Sequence, residues 1–115
     1  MSRALDTQVA EKVMLWPHRQ NDYDRHEWWE APHFSYTLYG NNLGQGALPR
    51  FSNHIGDAMS VVDHLVSLGY RVRLSRSRDG AGAEVLTRDG WEQVNGPVLE
   101  ECICEVALKA VAIGA

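Results

Sequence analysis

The segment Phe51 to Tyr70 constrains the fold most, because it predicts an amphipathic helix that leads directly into a strand. Ser52 or Asn53 can cap the helix start, since their side-chain oxygens accept a hydrogen bond from a free N–H group. Gly69 suits the left-handed residue that ends a helix. We expect one apolar stripe of this helix to face the core, formed by Ile55, Ala58, Met59, Val62, Leu65 and Val66.

The residues that follow this helix predict a β-hairpin. Tyr70, Val72 and Leu74 alternate with polar residues, which is the pattern of a strand with one buried face. Turn-forming residues at 79–82 reverse the chain, and residues 83–87 supply the returning strand. The sequence therefore predicts an antiparallel sheet with a helix packed on it.

Two further helices are predicted, one near each end of the chain. Apolar residues recur at helical spacing between residues 4 and 16, and Pro17 stops this first helix. The last helix begins after Gly96-Pro97, because proline lacks a donor that the first turn of a helix does not use. Three amphipathic helices and about three strands are enough to enclose one core.

The middle of the chain is less regular. Residues 18–32, HRQNDYDRHEWWEAP, mix charged and aromatic side chains without a clear period, which predicts an irregular loop. Phe34, Tyr36 and Leu38 alternate with more polar residues and predict a short strand. Residues 41–49 are rich in turn-forming residues, and we expect this segment to act as a lid or hinge.

The composition limits the class of protein. A chain of 115 residues, 44% of them hydrophobic, suits a single domain over residues 1–115. The net charge of −4 argues against general nucleic-acid binding, which needs a basic surface. Neither a membrane span nor a signal peptide is expected from the apolar pattern.

Cys102 and Cys104 lie two positions apart on a predicted helix, so they cannot pair with each other and favour a reducing compartment. We expect an α/β (α+β) fold, a small layered helix–sheet–helix sandwich with a mainly antiparallel sheet.

Three stretches of the chain resemble the phage ABA sandwich domain family of small phage-encoded proteins. The first is the opening helix LDTQVAEKVMLW, and the third is the C-terminal helix ECICEVALKAV, which Gly96-Pro97 precedes. The second is the entry to the central helix, where Pro49, Phe51 and Ser52 match a proline–aromatic–serine pattern. The three stretches cover about half of the chain, and their order and spacing agree with the family.

The resemblance implies a layered fold, a phage or prophage origin and a setting in the cytoplasm of the bacterial host. It implies no catalytic mechanism. Other small phage proteins of similar size form oligomers that sequester nucleotide immune signals, and this analogy suggests a similar role. We therefore expect a non-enzymatic homo-oligomer that binds a small anionic molecule, such as a cyclic nucleotide or an ADP-ribose derivative. One alternative is a phage accessory factor that contacts another protein and has no small-molecule ligand. A second alternative is a hydrolase that acts on nucleotides.

Arginines are concentrated in the predicted hairpin, with five arginines and two acids between residues 71 and 88. Arg71 and Arg73 lie on the same face of one strand. An unpaired guanidinium is costly to bury, so this face meets water, an anion or the acids of another subunit. The planar fork of a guanidinium is suited to phosphate.

The start of the central helix is a second candidate site. Free N–H groups and the positive end of the helix dipole attract anions there. Arg50, Phe51, Ser52 and His54 surround this position and are candidate ligand-binding residues. The alternative is an ordinary helix cap without a ligand.

Trp28 and Trp29 form a third candidate, because they stand among charged residues and at least one should be partly exposed. An exposed indole can stack on a base or fill a pocket in a partner, and burial in the core or in an oligomer interface is the alternative. We expect one of the two to lose exposure in a homo-oligomer.

The remaining motifs predict no chemistry. The histidines lack the spacing of a metal site, and the chain has neither a nucleophile elbow nor a phosphate-binding loop. We expect no metal, no cofactor and no catalytic residue.

Overall fold

The computed structural model describes residues 3–24, 26–40 and 45–115. The helices in these ranges are α1 (Arg3–Gln8), α2 (Ile55–Ser67) and α3 (Leu99–Ile113), and a π-helical segment, Val9–Val13, continues α1. The strands are β1 (His18–Gln20), β2 (Glu27–Glu30), β3 (Ser35–Thr37), β4 (Gly46–Ala47), β5 (Arg71–Ser77), β6 (Gly80–Thr87) and β7 (Gly90–Gly96).

Strands β5, β6 and β7 form an antiparallel sheet of two consecutive hairpins. Helix α3 packs on β6 and β7, and α2 packs on β5 and on α3. Ala83 and Val85 are fully buried on the side of this sheet that faces the helices. The predicted hairpin is confirmed, and β7 adds a third strand that the sequence pattern did not predict.

Strands β1 to β4 form a second sheet, antiparallel except for the parallel β3–β4 pair. The prediction of an irregular loop over residues 18–32 is wrong, because β1 and β2 form a hairpin there. His18 Nε2 lies 3.0 Å from Glu27 Oε2, and Arg19 Nε lies 3.4 Å from Glu30 Oε1 across this hairpin. Polar contacts between the side chains of two strands stabilise their pairing without any alternation of apolar residues.

The predicted lid or hinge, residues 41–49, lies partly outside the described residues, which omit 41–44. Gly46–Ala47 pairs with β3, and the N–H of Leu48 donates to the carbonyl of Thr37 at 2.7 Å. Leu48 itself is buried. Residues 46–48 therefore belong to the second sheet and to the core rather than to a lid.

Arg3 and Asp6 on α1 join the first helix to the segment that enters α2. Asp6 is buried, and its carboxylate accepts hydrogen bonds from Arg3 Nη1 and from the backbone N–H of Ser52, each at 2.8 Å. The Arg3 guanidinium also donates to the carbonyl oxygens of Leu38 and Leu48. The Arg3–Asp6 ion pair therefore connects α1 to Leu38, which follows β3, and to residues 48–52, which lead into α2.

The buried face of α2 differs in part from the predicted stripe. The residues of α2 that are buried are Ala58, Val61, Val62 and Leu65. Ile55, Met59 and Val66 were expected in the core, but they are 44%, 37% and 55% exposed. The helix therefore carries apolar residues on two neighbouring faces, and the described part of the chain covers only one of them.

The first helix ends earlier than the predicted boundary at residue 16. Its π-helical segment ends at Val13, and Leu15 adopts a left-handed conformation with φ of 58° while its side chain is 70% exposed. This conformation costs a residue other than glycine or asparagine about 1–2 kcal/mol. Leu15→Asn is therefore expected to raise the free energy of unfolding by about 0.5–1 kcal/mol in a urea titration.

Leu68→Asn is the matched control for that substitution. Leu68 is also exposed, but its φ is −87°, so asparagine relieves no strain there. An equal gain in both variants would show that the effect comes from removing an exposed leucine and not from the backbone of Leu15.

The predicted α+β class with mainly antiparallel sheets is confirmed, and the elements form a layered arrangement. The α2–α3 pair covers one side of the β5–β7 sheet and leaves the other side exposed. Across the three described ranges, each helix is too short or too polar to traverse a lipid bilayer.

Candidate ligand-binding surface

The exposed side of the β5–β7 sheet brings together the two arginines that the strand pattern singled out. Side chains alternate along a strand, so Arg71 and Arg73 lie on the side opposite the buried Val85. Glu84 is the register partner of Arg73, and Trp91 on β7 lies on the same side. We call the surface formed by Arg71, Arg73, Glu84 and Trp91 the arginine face.

Arg73 is held in place by two contacts on the arginine face. Its Cζ atom lies 3.7 Å from the centroid of the Trp91 ring, and its Nη2 lies 3.3 Å from Glu84 Oε2. Contact between a guanidinium and an indole is worth about 0.5–1 kcal/mol at an exposed site. The indole remains 38% exposed, so a ligand can still reach it.

Arg71 differs from Arg73 because, within residues 3–24, 26–40 and 45–115, its side chain has no hydrogen bond and no ion pair. It stands opposite Leu86, which in turn stands opposite Trp91 across the sheet. In the part of the chain that the structure describes, the arginine face therefore combines one cation without a partner, one cation oriented by an indole, and one carboxylate.

A shallow groove continues from the arginine face along the same side of the sheet. Ser75, Ser77, Asp79 and Asn95 border it, and its volume is about 420 Å³. Gly82 lies between two of the bordering residues, and a Cβ atom there would lie 2.7 Å from Asn95 Oδ1 and 3.0 Å from Ser75 Oγ. Any larger residue at Gly82 would displace these two polar side chains.

The start of α2 is occupied by the protein's own groups. The predicted caps, Ser52 and Asn53, are wrong, because His54 is the N-cap and its Nδ1 accepts from the N–H of Asp57 at 3.4 Å. The Asp57 carboxylate in turn accepts from the N–H of Arg50 at 2.8 Å. A carboxylate already stabilises this helix end and repels a second anion there.

The other candidate residues near α2 are divided between core and surface. Phe51 and Ser52 are buried, so neither presents its side chain to a ligand. Arg50 is exposed and borders two cavities of about 260 and 360 Å³. Arg3 and Asp6 border the first cavity, but the Arg3 guanidinium already bonds to Asp6 and to two backbone carbonyls, and Asp57 borders the second cavity. Both cavities therefore offer an anion less available positive charge than the arginine face does.

Trp28 and Trp29 point to opposite sides of β2. Trp29 is buried, its indole stacks on His18 at 4.7 Å, and its Nε1 donates to Glu11 Oε2 at 3.2 Å. Trp28 is only partly buried and stacks on His26 at 5.7 Å. The expectation that one of the pair is partly exposed is therefore confirmed for Trp28.

The two cysteines are free and buried on α3. Burial raises the pKa of the Cys104 thiol far above its usual range, and burial together with the Glu105 and Glu101 carboxylates raises the pKa of Cys102. Both side chains are therefore neutral thiols that pack in the core. The described residues contain no group of three or more His, Cys, Asp or Glu side chains arranged to hold a metal ion.

The sequence patterns did not select Glu84 or Trp91 as residues of the site, and Trp91 has the larger part in orienting Arg73. Its role depends on the register of three strands, which places it diagonally from Arg73. The available signal was the Asp89-Gly90 turn followed by alternating residues, which is typical of another hairpin strand. The structure therefore separates the eight candidate residues into three regions: the arginine face, the start of α2 and strand β2.

Comparison with known proteins agrees with this architecture. The chain matches the family model described as the phage ABA sandwich domain over residues 7–108. No curated protein matches it. Its structure is similar to the crystal structure of a phage protein from Bacillus cereus ATCC 14579, with a TM-score of 0.68 and 20% identity over 100% of this chain and 92% of that chain. The family match spans both sheets and most of α3, and the chain belongs to the phage ABA sandwich domain family.

Proposed function

We propose that this protein binds a small anionic ligand on the arginine face and sequesters it, without turnover, in the cytoplasm of the bacterial host. The observation that carries the proposal is the guanidinium of Arg71, which has no partner among the described residues and lies on the same face as Arg73. The Arg73 guanidinium in turn lies over the Trp91 ring. A protein of net charge −4 that keeps a free arginine on an exposed sheet surface has a local preference for anions.

A nucleotide fits this surface better than a simple anion does. Its phosphate can accept two hydrogen bonds from the fork of Arg71. Its base has a planar face that can stack on the indole of Trp91 or on the guanidinium of Arg73. The proposed ligand class is therefore a nucleotide signal of host defence, such as a cyclic nucleotide or an ADP-ribose derivative.

Glu84 sets the electrostatic balance of the arginine face. Its ion pair with Arg73 is exposed, with 59% of the arginine side chain and 30% of the glutamate side chain accessible. Exposed ion pairs of this kind contribute only about 0–1 kcal/mol. A phosphate can therefore replace the carboxylate as the partner of Arg73 at little cost.

Calorimetric titration with cyclic dinucleotides and ADP-ribose tests the proposal. The native protein is expected to bind at least one of them, and Arg71→Gln is expected to weaken that binding about tenfold to hundredfold, because a charge-assisted hydrogen bond is lost. Arg88→Gln is the matched control. The Arg88 N–H bonds to Gly114 O at 3.0 Å beside the end of α3, so its guanidinium is away from the arginine face.

Two results would contradict the proposal. Absence of binding by the native protein at tens of micromolar would exclude the nucleotide ligand, and equal weakening by both variants would exclude the arginine face as its site. The absence of turnover is tested separately. Mass spectrometry of the ligand released by heating the complex is expected to return it chemically intact, and a hydrolysed product would show an enzyme instead.

The second candidate function is that of an accessory factor that contacts another protein. The observation that favours it is the exposure of aromatic side chains around the second sheet, since Trp28 is partly exposed and Tyr23 and Phe34 are exposed. A pull-down from infected cells with native protein and Trp28→Ala tests this function. A stoichiometric protein partner that requires Trp28, together with no bound small molecule, would favour it over sequestration.

A further inference from the structure

Strand β5 leaves an open edge on the β5–β7 sheet. The strand order is β5-β6-β7, and six of the seven residues of β5 are exposed. Every second residue of an edge strand directs its N–H and C=O groups away from the sheet. An open edge of this length is a template for pairing with another strand.

Helix α2 packs against β5 and against α3, and it also carries an uncovered apolar face. Ile55, Met59 and Val66 recur at helical spacing about a quarter turn from the buried face. Leu74, on the helix-facing side of β5, is also 36% exposed. The edge strand and the helix packed against it therefore both carry exposed apolar side chains.

The two ends of β5 carry complementary charges. Arg71 at its start is a cation without a partner, and Asp79 in the turn after its end is an acid whose carboxylate has no partner within the described ranges. An antiparallel second copy of β5 would place the start of one strand beside the end of the other. Each Arg71 would then lie within reach of Asp79 from the other copy.

The sequence of β5 also suits self-pairing with a two-fold axis at Leu74. In that register Leu74 faces Leu74 of the second copy, and Arg73 and Arg71 face its Ser75 and Ser77. A shift of the axis by one residue toward the N-terminus would place the two Arg73 side chains directly opposite each other. Like charges in that position are destabilising.

We propose that β5 pairs antiparallel with β5 of a second copy of this chain. The result is a six-stranded sheet with the two α2 helices side by side on one surface. Ile55, Met59, Val66 and Leu74 lose exposure in this interface. If the proposed function holds, the two arginine faces become neighbours on the opposite surface. A ligand that carries two phosphates can then reach guanidiniums from both copies by displacing Asp79 from Arg71, as it displaces Glu84 from Arg73.

Cysteine cross-linking tests the register of the pair. Opposite residues of antiparallel strands have Cα atoms about 4.5–5.5 Å apart, which a disulfide can bridge. Leu74→Cys is therefore expected to give a covalent dimer under mild oxidation. Ser77→Cys is the matched control, because its two copies would lie about 20 Å apart in this register. The native cysteines do not interfere, since both are buried thiols with raised pKa values.

The oligomeric state tests the interface without a ligand. Sedimentation of the native protein is expected to give twice the chain mass of 12.9 kDa. Met59→Lys is expected to shift this equilibrium toward the monomer by at least about tenfold, because it places a charge in an apolar contact. Ser60→Lys is the control, since Ser60 is exposed on the polar side of the same helix.

Each outcome separates this inference from the proposed function. A native monomer at all concentrations, or equal cross-linking at positions 74 and 77, would overturn the dimer. If the protein forms the dimer with the expected cross-link but binds no nucleotide, the β5–β5 pairing stands and the proposed function is contradicted. If the protein is a monomer that binds a nucleotide, the proposed function stands and the β5–β5 pairing is contradicted.

Discussion

Val106→Asp is expected to abolish the cooperative fold. Val106 is 1% exposed on α3, within the core that this helix forms against β6, β7 and α2. An unpaired carboxylate at such a position costs several kcal/mol even after relaxation, against a total stability of about 5–15 kcal/mol for a typical domain. Near-ultraviolet circular dichroism should lose its tryptophan signals, and urea unfolding should lose its cooperative transition.

Val66→Asp is the matched control, because Val66 is exposed on the free side of α2. The same substitution there should leave the chain folded, although it should weaken the proposed dimer. If Val106→Asp unfolds cooperatively with the same urea midpoint as the native protein, α3 is not the central helix of the core. Loss of folding in Val66→Asp would show that the chain folds only as an oligomer.

Asp6→Ala is expected to reduce the free energy of unfolding by about 3–5 kcal/mol, which is the usual result of removing one partner of a buried ion pair. The substitution leaves the partly buried Arg3 guanidinium without its counterion. It also leaves the backbone N–H of Ser52 without its acceptor, 46 positions along the chain. Urea titration of both proteins, followed by tryptophan fluorescence, measures the difference.

Asp6→Asn separates the two contributions of Asp6. Asparagine retains an oxygen that can accept from Ser52, but it carries no charge for Arg3. Its loss of stability is therefore expected to be smaller than that of Asp6→Ala. If neither variant is destabilised, the Arg3–Asp6 pair does not hold α1 to the entry of α2.

The sequence predicted those helices and strands whose periodicity and turn residues lie within one short segment of the chain. Helix α3 and the hairpin of β5 and β6 follow from periodicity and turn residues within one short segment. The β1–β2 hairpin was missed because its stabilising pairs, such as His18 with Glu27, become neighbours only after the strands pair. The core stripe of α2 was misplaced because apolar residues occupy two adjacent faces, and periodicity does not show which face meets a partner.

The candidate site was predictable to a similar extent. Strand alternation placed Arg71 and Arg73 on one exposed surface, and the structure agrees. The contacts of Arg73 with Trp91 and Glu84 depend on a three-strand register, so no local pattern could reveal them. Phe51 was selected for its position beside a helix start, but it fills the core because its aromatic ring packs against Trp16 at 5.9 Å.

Nuclear magnetic resonance titration tests the central claim most directly, because it locates the ligand as well as detecting it. ADP-ribose and a cyclic dinucleotide are added separately to isotopically labelled protein. We expect at least one of them to shift the amides of Arg71 and Arg73 and the indole N–H of Trp91, with little change at Arg50 and His54. The largest shifts at the start of α2 or at Trp28, or no shift with either nucleotide, would contradict the assignment of the arginine face.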